Sequence, residues 1–182
     1  MKSILSILAI LLTSVTLSAQ MVTLSPANPS GDDEITITFD ATQGNGELVG
    51  AAKVYLHSGV VLDAPDGTAW NNAIGNWGMD DGVGQMTKVA GATDKWEIKL
   101  TPTARQYYGV DASATIFRLA LVFRNADGTK KGTASPGTYD WGFVAGNQDI
   151  YVNLDAGFYV SILNPADDEV YLTSGEALKI EA

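Results

Sequence analysis

Tyr55, His57, Trp70 and Trp77 are the residues of this chain whose types and spacing could do chemistry, and that chemistry is stacking combined with hydrogen bonding. An aromatic face meets the C–H face of a pyranose, and an indole N–H can also donate to a hydroxyl. A neutral imidazole adds one donor and one acceptor. In KVYLH, alternation turns Val54 and Leu56 toward a core and places Lys53, Tyr55 and His57 on the opposite face. Tyr55 and His57 then stand roughly 7 Å apart, at about 3.4 Å per residue, a spacing suited to lying beneath a sugar ring. Trp70 in GTAWNNA and Trp77 in GNWGMDD fall in Gly- and Asn-rich segments that read as loops. Binding groups concentrate in loops carried by a rigid scaffold.

Asn71 and Arg124 are the polar partners expected beside these rings, with Lys53, Asn72, Asn76, Gln85 and Asn125 as further hydroxyl binders. Each has a plainer reading. A lone histidine is commonly a packed residue, amides in Gly-rich loops are usually turn formers, and a Trp can close a sandwich edge. Trp96 alternates with core positions and is read as structural, while Trp141 in TYDWGF fits either role.

Other chemistries find little support. Asp80-Asp81-Gly82 and Asp127-Gly128 invite a calcium reading, since Ca²⁺ takes six to eight oxygen ligands, but neither matches a full D-x-[DN]-x-[DN]-G loop. Asp-Gly is above all a hairpin signal, so no cofactor is expected. With one His and no Cys, a histidine metal cluster is impossible. No GxSxG elbow, HExxH or P-loop occurs, and the chain is read as noncatalytic. A carboxylate pair for glycoside hydrolysis is not excluded by so acidic a sequence.

The elements that must position these residues are strands. Ile35, Ile37 and Phe39 alternate with Thr36, Thr38 and Asp40, and Trp96, Ile98 and Leu100 with Lys95, Glu97 and Lys99. In TIFRLALVFR, Phe117, Leu119, Leu121 and Phe123 form one face and Arg118, Ala120, Val122 and Arg124 the other, as in a central strand. Ile150, Val152 and Leu154 repeat the pattern. Thr103 to Tyr108 is the one segment read as a short helical turn. Such strands, separated by Gly, Pro, Asn and Asp turns, predict an all-β antiparallel sandwich with no βαβ unit.

Residues 1–19 read as a Sec export signal, with Lys2 before an apolar run from Ile4 to Leu12 and a small-residue site at Ala19. That run is shorter than the roughly 20 apolar residues of a membrane span, so no membrane insertion is expected. The destination is extracellular, cell-surface or periplasmic. A formal net charge of −10 would repel nucleic acid and anionic membranes. Residues 20–156 form the expected sandwich module. Residues 157–182 change character and read as the opening of a second, incomplete immunoglobulin-like segment, so a monomeric module within a longer multidomain chain is expected.

Taken together, KVYLHSG, GNWG with QMTKV, DKWEIKL, FRLALVFRNADGTKKG and DIYVNL resemble the starch-binding modules of carbohydrate-binding families 25 and 26. The similarity is greater still to a module near the N-terminus of secreted α-amylase-like proteins of Bacteroidetes, and it spans Val22 to Leu154. The resemblance implies an immunoglobulin-like β-sandwich holding α-glucan on exposed aromatics. Tyr55 and His57 then match an exposed strand pair, Trp70 the following loop Trp, and Trp77 a further Trp more loosely. KKGTASPGTYDWG departs from the aromatic-Asp-Asn ending of those modules. Two alternatives stand beside polysaccharide binding: a structural or protein-interaction spacer, and a fragment of a family 13 glycoside hydrolase lacking its catalytic domain.

Overall fold

The computed structural model describes residues 20–139 and 141–157. The proposed signal and the proposed second segment, from residue 158 on, lie outside the described residues. Among the described residues eleven strands and one short helix follow in order: β1 Val22–Ser25, β2 Ile35–Asp40, β3 Tyr55–Val61, β4 Asn71–Ile74, β5 Thr87–Lys88, β6 Lys95–Leu100, α1 Ala104–Tyr108, β7 Arg118–Arg124, β8 Lys131–Gly132, β9 Gly137–Tyr139, β10 Gly142–Val144 and β11 Ile150–Asn153. They form an all-β sandwich of two antiparallel sheets, as the alternating pattern predicts. One sheet runs β1-β2-β6-β5; the other runs β4-β3-β7-β11-β10-β9, with β8 pairing the end of β7.

Alternation decides what the sandwich buries. Ile35, Ile37 and Phe39 from β2 enter a common core with Leu56 and Val60 from β3, Leu119, Leu121 and Phe123 from β7, and Ile150 and Val152 from β11. Phe39 and Phe123 stack across the two sheets, centroids 4.1 Å apart and planes 10° from parallel. Burying each such side chain contributes about 1.5–3 kcal/mol, which is the main stabilising term in a chain without disulfides. Trp96 is buried in this core, and Trp141 packs on its margin stacked against Tyr139 at 4.9 Å. Trp96 is therefore structural, while Trp141 is half-buried.

The helix forms where Thr103 and Gly109 bracket it. Thr103 Oγ1 accepts from the Gln106 amide at 3.2 Å, and Gly109 ends the turn in the left-handed region at φ 63°. Its last residue, Tyr108, is buried and donates its hydroxyl to Ser58 Oγ at 2.8 Å.

Strand β7 is the centre of the larger sheet and is buried along its whole length. Its core face packs between the sheets. The other face is covered by side chains and loops of the same sheet, and that covering builds the site.

Candidate functional site

The site follows from register on the outer face of β7. Val122 pairs with His57, and Ala120 pairs with Gly59 on one side and Tyr151 on the other. Arg124 pairs with Tyr55 and, through the β7–β8 hairpin, with Lys131. Arg118 pairs with Val61 and Asn153. Rows of outward residues thus cross the sheet. Ile150 pairs with Leu121, so Asp149, one residue earlier, comes alongside Val122. Around Val122 lies an open pocket of about 340 Å³, lined by His57, Trp70, Trp77, Lys131 and Asp149.

Two tryptophans wall this pocket, one on each side of His57. The Trp70 centroid is 5.7 Å from the imidazole with planes 27° apart, and the Trp77 centroid is 5.8 Å away at 88°, edge to face. The two indole planes therefore differ by at least 61°, the gap between 88° and 27°. The arrangement is an angled cleft.

Trp70 precedes β4, so GTAWNNA is part loop and part strand. Pro65-Asp66-Gly67 supplies the bend, with the Gly67 amide donating to the Ala64 carbonyl at 3.0 Å. The indole lies over Gly59: a Cβ there would come within 3.1 Å of Trp70 Cε3. Trp70 Nε1 donates to the Tyr151 hydroxyl at 3.2 Å, and that hydroxyl donates to the Thr68 carbonyl at 3.1 Å. Its N–H is thus already engaged, leaving its ring face as the group it can offer. Tyr151 stacks on Phe143 at 4.7 Å, and the Arg118 guanidinium sits 4.7 Å from the Phe143 centroid.

Trp77 is 44% exposed and is carried by the glycine-rich loop from residue 75 to 85. That loop folds back along β3: the Leu56 amide donates to the Gly84 carbonyl at 2.8 Å, and a Cβ on Gly84 would lie 2.1 Å from Leu56 O, with φ at 76°. Only glycine permits this approach. Asp81 accepts from Asn76 Nδ2 at 2.6 Å and from the Val83 amide at 3.0 Å, closing the loop on itself. Lys131 Nζ lies 5.2 Å from the Trp77 centroid and forms no ion pair among the described residues.

Burial is the main influence on His57, holding its pKa below the ordinary value of 6.5; the Arg124 charge acts in the same direction, while the Gly75 backbone and Asp149 oppose them. The ring is neutral at pH 7. Its Nδ1 is buried against the Gly75 backbone without a well-formed hydrogen bond.

Two expected site residues are corrected. Tyr55 does share a face with His57, but it is fully buried because the loop from residue 75 to 85 covers that end of the sheet. Its hydroxyl bonds the Asp80 carboxylate and lies 3.0 Å from Gln85 Oε1. The bond to Asp80 raises the phenol's pKa, and Lys53, which pairs with Asp80 at 2.8 Å, holds that carboxylate below its usual range. Arg124 is likewise fully buried. Its two Nη atoms donate to the carbonyls of Asn125, Ala126, Asn76 and Met79 at 2.8–3.0 Å, so no terminal donor is directed at a ligand.

Asn71 lies on the edge strand β4, bonds the Ala69 carbonyl at 3.2 Å and does not line the pocket. Asn76 and Asn125 donate to side chains of their own loops, and Asn72 Nδ2 donates to the Tyr108 carbonyl at 2.8 Å. Sequence reasoning missed Lys131 and Asp149. The Asp127-Gly128 turn signal could have placed Lys131 opposite Arg124, whereas Asp149 depends on the pairing of β11 with β7. Asp80 is engaged by Lys53 and Tyr55, and Asp127 by Thr129 of its own turn. Among the described residues no three His, Cys, Asp or Glu side chains are grouped to hold a metal.

Residues 22–131 match the family described as a domain of unknown function (DUF8578), and the chain belongs to that family. The match includes both tryptophan walls and Lys131, and it ends before Asp149 and Tyr151. No curated protein matches the chain.

Proposed function

We propose that this chain is a noncatalytic module that holds polysaccharide, and specifically α-glucan, against the outer face of its larger sheet. The observation that carries the reading is the convergence of Trp70, His57 and Trp77 on one open pocket with their indole planes at least 61° apart. Stacking on both walls needs successive sugar faces that turn relative to one another. An α-1,4-linked glucan coils and presents such faces, whereas the flat two-fold ribbon of a β-1,4-glucan keeps them close to parallel. Lys131 and Asp149 supply a donor and an acceptor for hydroxyls at the same pocket.

The resemblance to starch-binding modules points the same way. Asp149 is the one carboxylate lining the pocket among the described residues, and glycoside hydrolysis ordinarily takes a pair. Affinity should be modest, because an open face leaves water competing for every hydroxyl. The pattern of residues 1–19 supports export, and tethering to a glycan-degrading partner domain would raise the effective substrate concentration.

Affinity electrophoresis of residues 20–182 in soluble starch or glycogen, with xylan and hydroxyethylcellulose as comparators, tests the reading. Retardation confined to the α-glucans and sharply reduced, though still measurable, in Trp77→Ala is expected. Retardation by the β-linked chains alone would refute the α-glucan assignment. Binding to no glycan by the folded protein would favour a structural spacer, a role consistent with the burial of Tyr55 and Arg124.

A further inference from the structure

We propose that Arg118 and Arg124 are positioning residues that set the two tryptophan walls independently, Arg118 for Trp70 and Arg124 for Trp77. The inference rests on the binding reading for its affinity arm alone. The two arginines stand at opposite ends of β7 on its outer face, with the pocket floor, Val122, between them. At about 3.4 Å per residue their Cα atoms are roughly 20 Å apart, too far for a shared hydrogen-bond network.

Each guanidinium is bonded to the backbone next to one wall. Arg124 holds Asn76 and Met79, which flank Trp77, and ties them to Asn125 and Ala126 of the hairpin beneath. It lies 4.6 Å from the Tyr55 centroid and 6.0 Å from the Trp77 centroid, so Trp77 rests over a cation supported by a buried ring. Gly128 of the same hairpin closes beneath Trp77, where a Cβ would lie 2.8 Å from Nε1.

Arg118 acts on the other wall through different atoms. Nη1 donates to the Gly67 carbonyl at 2.9 Å, three residues before Trp70, and Nε donates to Asn153 Oδ1 at 3.0 Å. Its flat face covers Phe143, which stacks on Tyr151, the acceptor of the Trp70 N–H. Only a planar fork reaches several carbonyls in fixed directions. Lysine keeps the charge but has a single ammonium to place.

The first test is ¹⁹F NMR of the folded chain carrying 5-fluorotryptophan at its 4 Trp positions. Arg124→Lys should shift or broaden the Trp77 resonance and leave Trp70 in place, and Arg118→Lys should do the reverse. Either variant perturbing both resonances, or neither, would overturn the proposal. This arm needs no ligand, so it stands apart from failure of the glycan reading.

The second arm is a double-mutant cycle in α-glucan affinity. Arg124→Lys is expected to weaken binding about tenfold alone and less than about twofold in a Trp77→Ala background, with full additivity against Trp70→Ala. Additivity with Trp77→Ala would refute it. Should Arg124→Lys fail to fold, Tyr55→Phe keeps the supporting ring and loosens the same loop at Asp80. It should then perturb the Trp77 resonance alone, and an unchanged Trp77 resonance would count against the assignment.

Discussion

Gly59→Ala tests whether Trp70 is seated directly on the sheet. A Cβ at Gly59 would lie 2.8 Å from the Asn71 carbonyl oxygen and 3.1 Å from Trp70 Cε3. Carbon–oxygen contacts relax at about 3.3–3.6 Å and carbon–carbon contacts at about 3.5–4.0 Å, so β4 and the indole must each give by several tenths of an ångström. Overpacking of this kind costs about 1–3 kcal/mol. The backbone of Gly59 is not in the left-handed region, so alanine also removes unfolded-state freedom and returns about 0.4–1 kcal/mol. The expected net loss is about 1.3 kcal/mol at the middle of these ranges, or about 3–5 °C in Tm for a module of this size. Gly146→Ala is the control, since its Cβ would meet nothing within 4 Å and only the entropic gain applies. Urea denaturation of the two variants isolates the steric cost, and affinity electrophoresis should show α-glucan binding weakened about fivefold in Gly59→Ala alone. Equal stabilisation by both substitutions, with binding unchanged, would refute the seating of Trp70 on Gly59.

Trp77→Ala should leave stability within about 0.5 kcal/mol, because the ring is 44% exposed, while α-glucan retardation falls sharply but stays measurable; a large fall in Tm would show the ring to be structural. Tyr151→Phe removes the acceptor of the Trp70 N–H and the donor to Thr68, and should cost about 1–3 kcal/mol in urea denaturation. The Trp70 resonance should move in the same variant. His57 has a folded pKa below its unfolded value, so the unfolded chain binds the proton more readily. Stability from this group is therefore complete above pH 6.5 and declines as pH falls below it toward the folded pKa. The difference in unfolding free energy between wild type and His57→Asn should narrow across that window, and a constant difference would contradict the burial of a neutral ring.

Much of this fold was legible in the sequence because a sheet repeats every two residues. The alternation in ITITF, KWEIKL and FRLALVF identified strands, their core faces and the central position of β7 without knowledge of their partners. The same logic put Tyr55 and His57 on one outward face, while the Gly- and Asn-rich segments around Trp70 and Trp77 drew attention to those two rings. Period two specifies a face but not what lies over it. The fold of the loop from residue 75 to 85 buries Tyr55 and leaves His57 at the pocket, although the two are neighbours on one face. Arg124 read as a surface donor because its outward position is local information, while its four carbonyl partners come from two separate loops. Asp149 reaches the site because β11 pairs with β7 in one register, and that pairing joins segments nearly thirty residues apart. Sequence determined which side chains face outward; the closing of loops and the pairing of distant strands decided which of them meet, because those contacts are made across space by groups that local periodicity does not relate.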